Sequence, residues 1–138
     1  MRILPSILAA LAVASPARAD QSIAGSYDVK FEEVASSCSP KPETLSNGKV
    51  VIAIKKGTLT VKFDTIYQMV GVAPKDGKLS AKTKNLIGTA IGGLSARHSV
   101  TGHVDKNALE LVLTAQYIRQ DTYKPHCQQV WNVKGARR

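Results

Sequence analysis

Lys49 to Asp64 reads KVVIAIKKGTLTVKFD. Val50, Val51, Ile52 and Ile54 form a β-branched run before Lys56-Gly57. After it, Leu59, Val61 and Phe63 alternate with Thr58, Thr60, Lys62 and Asp64. Successive side chains of a strand point to opposite faces, so a period of two marks a strand with one buried face. Two such runs joined by a short Lys-Gly link predict a β-hairpin.

The same pattern extends in both directions. Upstream, Ile23, Gly25, Tyr27, Val29 and Phe31 alternate with Ser26, Asp28, Lys30 and Glu32, which predicts a first strand. Asp28 and Glu32 share its outer face with Lys30 between them, as on a solvated surface. Ser36 to Gly48, with Pro40 and Pro42, reads as a long loop. Downstream, Tyr67 to Ala73 reads as a fourth strand, ended by the turn residues Pro74-Lys75-Asp76-Gly77, and Lys78 to Lys84 as a fifth. Asn85 to Leu94 (NLIGTAIGGL) breaks the alternation, and is read either as a pliable apolar lid or as a short helix or wide loop over core. Ala96 to Val104 and Ala108 to Arg119 give two more strands, and His126 to Lys134 the last. Gly135 to Arg138 reads as a frayed tail.

Eight strands with short links and no helix predict an all-β fold. Closing an eight-stranded antiparallel up-and-down barrel removes both sheet edges and seats the last strand beside the first. A two-sheet sandwich is the competing architecture. The inward candidates are Tyr27, Val29, Phe31, Leu59, Val61, Phe63, Leu109, Leu111, Leu113, Trp131 and Val133. On the strand Ala96 to Val104, His98, Val100 and Val104 are placed inward, with Arg97, Ser99, Thr101 and His103 outward.

Residues 1–19 stand apart. Arg2 precedes an almost wholly apolar run, Ile3 to Ala14, and Ala17-Arg18-Ala19 offers small residues for a signal peptidase. That is the pattern of a secretory leader cleaved near Ala19, followed by a single domain over residues 20–138. The expected location is periplasmic or extracellular, without a transmembrane segment. In that oxidising setting, Cys38 and Cys127 favour a disulfide over two free thiols or a metal pair. The closed loop of about 90 residues is worth about 4–5 kcal/mol at most by chain entropy. The bridge joins the first and last strand regions, as barrel closure requires.

Losing Arg2 and Arg18 with the leader lowers the formal net charge from +9 to +7. A basic surface favours anionic partners. The lysines (Lys30, Lys49, Lys62, Lys75, Lys106, Lys134) are scattered, which suits solubility and not a nucleic-acid patch. His98, His103 and His126 read as surface or turn residues. His98 and His103, an odd number apart on one strand, cannot share a metal. No Gly-x-Ser-x-Gly elbow and no converging carboxylates are seen, so an enzyme is not expected, nor is a cofactor.

Gly25-Ser26-Tyr27 in the first strand, the eight-stranded meander and Trp131 in VWNVKG resemble the calycin superfamily, the lipocalins and avidins. Lipocalins carry Gly-x-Trp where this chain has Gly-x-Tyr. The arginine they lay over that tryptophan has no counterpart that the sequence picks out. Biotin binding is not implied, since the chain has one Trp. The resemblance implies a calycin-like barrel with Tyr27 and Trp131 plugging its closed end, and a cup for a small apolar ligand. The functional expectation is an exported, non-catalytic protein holding a small apolar or amphipathic ligand. Phe31, Phe63, Met69 and Leu94 are the contact residues near the open end. The alternative is a packed scaffold acting as an interaction or inhibitor module for an anionic envelope component or secreted macromolecule.

Overall fold

The computed structural model describes residues 22–74 and 76–138; the leader expected over residues 1–19 lies outside them. The chain forms nine strands: β1 Gly25–Ser36, β2 Asn47–Lys55, β3 Thr58–Phe63, β4 Met69–Val72, β5 Lys78–Lys82, β6 Ile87–Gly88, β7 Leu94–Asp105, β8 Ala108–Arg119 and β9 Pro125–Arg137. All pairings are antiparallel. β1 to β5 neighbour one another in order, β5 pairs with β7, β7 to β9 follow in order, and β9 returns to β1. The sheet is therefore a ring of eight strands, with β6 an extra edge strand on β7.

The expected hairpin is β2–β3, in register from Val50↔Phe63 to Lys55↔Thr58. Every residue read as inward is buried. They pack with Ile23, Val50, Ile52, Met69 and Tyr117 as one core inside the ring. Burying each large apolar side chain contributes about 1.5–3 kcal/mol, which holds the ring together.

Three expectations are corrected. NLIGTAIGGL contains the two-residue β6, paired through Ile87↔Ala96 and Gly88↔Ser95, with turns around it. The tail is not frayed: Gly135, Ala136 and Arg137 pair with Val29, Asp28 and Tyr27, so β9 reaches Arg137. Tyr27 and Trp131 are not at one end. Tyr27 pairs with Arg137, whereas Trp131 pairs with Glu33, six residues further along β1.

The seam between β4 and β5 is the narrowest, a single pair, Val70↔Lys82. Gly71 permits it. A Cβ there would lie 2.0 Å from the Ser80 carbonyl oxygen, so a side chain would force the strands apart. Beyond Lys82, β5 ends and leaves a gap in the wall.

The ends of the ring differ. One carries the β2–β3 and β7–β8 turns, Tyr27 and the C-terminus of β9. The other carries the β1–β2 loop, the β3–β4 connection, β6 and the start of β9. There Cys38 is bonded to Cys127, as expected, 5.1 Å apart between Cα atoms. The disulfide fastens the β1–β2 loop over that end.

Among the described residues, no helix is long and apolar enough to cross a membrane.

Candidate functional site

The loop-covered end is where the inward face turns polar. Period two carries the inner face from Val100 to His98 on β7, from Leu113 through Ala115 to Tyr117 on β8, and from Trp131 to Gln129 on β9. On β1 the same face runs from Phe31 to Glu33, before the register shift between Glu33 and Ala35. His98 and Gln129 both pair with Ala115. That fully buried methyl leaves room between two longer side chains, and Glu43 of the β1–β2 loop reaches into it.

Gln129, fully buried, organises the cluster. Its Nε2 donates to Glu33 Oε2 (2.6 Å) and to the Glu43 carbonyl (3.0 Å). Its Oε1 accepts from the Tyr117 hydroxyl (2.6 Å) and the Glu43 backbone N–H (3.3 Å). With both donors and acceptors used, the amide has one satisfactory orientation. Glu43 Oε2 accepts from His98 Nε2 (2.8 Å) and lies 2.7 Å from the Tyr117 hydroxyl. Tyr117 has one proton for two acceptors, so its bonds to Glu43 and Gln129 compete. The Thr83 hydroxyl accepts from the His98 N–H (3.1 Å), and the Thr83 N–H donates to the His98 carbonyl (2.9 Å), fixing that strand position. Lys41 pairs with Glu33.

The electrostatics follow from this packing. Burial opposes the charge on Glu43, but the bonds from His98 and Tyr117 outweigh it, and the carboxyl titrates below its ordinary range. Glu33 is also lowered, by its bonds from Lys41 and Gln129. Burial, and then the adjacent Glu43 carboxylate, push the Tyr117 phenol up. Two sequence expectations are thereby corrected. His98 is not a surface residue: its inward parity buries it, and Glu43 supplies its partner. Polar groups also converge at one end, because a loop residue from outside the strand pattern completes the set. His98 Nδ1 is buried with no hydrogen-bond partner among the described residues.

The four residues expected to contact a ligand are all buried in the core. Phe31 and Phe63 meet with ring centroids 5.5 Å apart. Met69 pairs with Val61 on β3, and Leu94 starts β7 opposite Arg119. The structure brings the two phenylalanines together and places Leu94 on a different arc of the ring.

A groove of about 740 Å³ opens on the outer surface at the same end. Arg97, Gln116 and Gln128 cross β7, β8 and β9 in register on its floor. The β8–β9 turn raises Tyr123, 75% exposed, along its wall, with Ile118, Pro125, His126 and Leu86. No described residue hydrogen-bonds or forms an ion pair with the Arg97 side chain. A cation beside apolar walls is suited to an amphipathic anion. Groups of three or more His, Cys, Asp or Glu placed to hold a metal are absent among the described residues.

No family model, curated protein or solved structure matches the chain.

Proposed function

We propose that this chain is an exported, non-catalytic binding protein built on a calycin-like, eight-stranded up-and-down barrel, and that its ligand is a small amphipathic anion held in the outer groove. The observation that carries the reading is the groove itself. Its volume of about 740 Å³ lies in the range typical of small-molecule sites, and it sets Arg97, which pairs with no described residue, beside Leu86, Ile118 and Tyr123. The basic chain, +7 once Arg2 and Arg18 leave with the leader, favours such an anion at long range. The order of strand neighbours supports the barrel. So does Arg137, which lies over Tyr27 of the Gly-x-Tyr motif as the resemblance to lipocalins implies. Export rests on the leader pattern of residues 1–19. Phe31, Phe63, Met69 and Leu94 then serve as core, and the ligand lies outside the ring.

The test is a titration of ¹⁵N-labelled protein with octanoate, and with octanol as the neutral control. Saturable shifts at Arg97, Gln116 and Gln128 for octanoate, weakened several-fold in Arg97→Ala and by added salt, are expected. Equal binding of octanol, or shifts confined to other surfaces, would overturn the reading. Saturation by an acidic polysaccharide but not by octanoate would transfer the groove to the macromolecular alternative.

A further inference from the structure

Where β5 ends at Lys82, the wall of the ring is open between the β3–β4 connection and β6. Two clefts meet there, and both are lined by Tyr67, Ile87 and Gly88. The outer one, about 460 Å³, adds Gln68, Val70 and Lys84. The inner one, about 270 Å³, adds Pro42, Ile66, Ala96, His98 and Glu43. The two share their Tyr67, Ile87 and Gly88 walls, and the second has Glu43 and His98 of the polar cluster in its lining. We propose that these adjoining clefts form a binding site for a small organic ammonium ion, with its apolar body between Tyr67 and Ile87 and its charge on Glu43.

The charge pattern selects a cation. Glu43 Oε2 is engaged by His98 and Tyr117, but no described residue donates to Oε1. Lys41, the cation nearest in sequence, is committed to Glu33. His98 donates from Nε2 to Glu43, and its Nδ1 has no hydrogen-bond partner among the described residues. Glu43 is only partly buried, so Oε1, which no described residue engages, is open to a charged group entering the pocket. Lys84 stands on the outer cleft and forms no ion pair with Glu43. The pocket's apolar walls are Ile66, Ile87, Ala90, Ala96 and the Tyr67 ring, which is 67% exposed, with Thr65 and Thr89 among its polar ones. Aromatic faces attract cations, and apolar walls favour an organic body over a hydrated metal ion. A volume of about 270 Å³ admits a molecule of the size of benzylammonium, the probe chosen here.

The experiment titrates the ¹⁵N-labelled chain with benzylammonium and with benzyl alcohol, its neutral counterpart. Saturable shifts at Tyr67, Ile87, Gly88 and His98, at least tenfold weaker for the alcohol, are expected. Glu43→Gln, which keeps an acceptor for His98 and Tyr117 but removes the charge, should weaken benzylammonium at least tenfold. Should that variant not fold, Ala90→Trp decides: Ala90 is exposed on the wall of the inner cleft, makes none of the cluster's bonds, and its enlargement should obstruct the pocket to a similar extent. Absence of saturable binding at millimolar probe, equal affinity for the alcohol, or undiminished binding in the folded variants would overturn the proposal. Arg97 and its neighbours report on the octanoate groove, so failure of either site leaves the other distinguishable.

Discussion

The guanidinium of Arg137 lies 5.0 Å from the centre of the Tyr27 ring, and so the last strand is locked onto the first. Its Nη1 donates to the Ala24 carbonyl and its Nη2 to the Ser22 carbonyl, each at 2.6 Å. The Tyr27 hydroxyl in turn donates to the Ile23 carbonyl at 2.6 Å. Gly25 makes space for the arrangement, since a Cβ there would lie 2.6 Å from Nη1. Removing the side chain in Arg137→Ala loses a cation–π contact of about 0.5–2 kcal/mol, the two short hydrogen bonds of about 1 kcal/mol each, and two longer, exposed ones to Asn107 Oδ1 and the Lys106 carbonyl. Urea unfolding should show a loss of about 2.5–4 kcal/mol. Arg137→Lys keeps the charge but not the planar fork, and should restore less than half. A loss below about 0.5 kcal/mol for Arg137→Ala would deny the lock its role.

Ala115 decides whether Glu43 enters the ring. It pairs with His98 on one side and Gln129 on the other, and a longer side chain would occupy the space that the carboxylate uses. Ala115→Leu should expel Glu43, overpack the layer and leave buried polar groups unsatisfied, with a cost of about 3 kcal/mol or more. Ala115→Ser, nearly the same size, should cost much less. Unfolding free energies and the His98 ring signals measure the two effects together; an unchanged His98 environment in Ala115→Leu would refute the account.

Parity along the chain makes the core legible. Alternation on β8 places Leu109, Leu111, Leu113, Ala115 and Tyr117 on one face, and all five are buried. It also puts Gln129 on the face of Trp131, and His98 on that of Val100. Three members of the polar cluster thus stand where a period of two puts them, although they carry no motif. Glu43 is different. It sits in a Pro-rich loop without periodicity, and the Cys38–Cys127 bond together with the bonds from Gln129, His98 and Tyr117 brings it inside. Arg137 follows Gly135-Ala136, a stretch without apolar alternation, so its strand is made by the partner β1 and not by local preference. β6 has two residues, too few to show a period.

The Cys38–Cys127 bond spans 89 residues of sequence. A loop of that size lowers the entropy of the unfolded chain enough to stabilise the fold by about 3–5 kcal/mol. Changing both cysteines to serine should therefore lower the unfolding free energy by about that much. The loss has a local component as well, because the bond holds the strap that carries Glu43. Hydrogen exchange at the Glu43 and Ser37 amides, which bond to Gln129 Oε1 and to the Gln128 carbonyl, should accelerate more than exchange along β8. Uniform acceleration across the sheet would place the whole effect in the unfolded state.

Acid should weaken the same end of the ring. Glu43 is favoured as a carboxylate in the fold, and so is Glu33. Each binds its proton less readily folded than unfolded, so the unfolded chain takes up protons first as pH falls. The stabilisation is complete above the ordinary carboxyl value near 4.5. It is lost as pH drops below that value and through the lower values of the folded state. For one proton the slope is at most about 1.4 kcal/mol per pH unit. Glu43→Gln cannot titrate, so its stability should fall less steeply between pH 5 and pH 3, roughly, with the remaining slope including Glu33. Urea midpoints of both proteins across that range give the comparison. Parallel curves would mean that Glu43 holds the same proton affinity folded and unfolded, and that its bonds to His98 and Tyr117 do not favour the charged form.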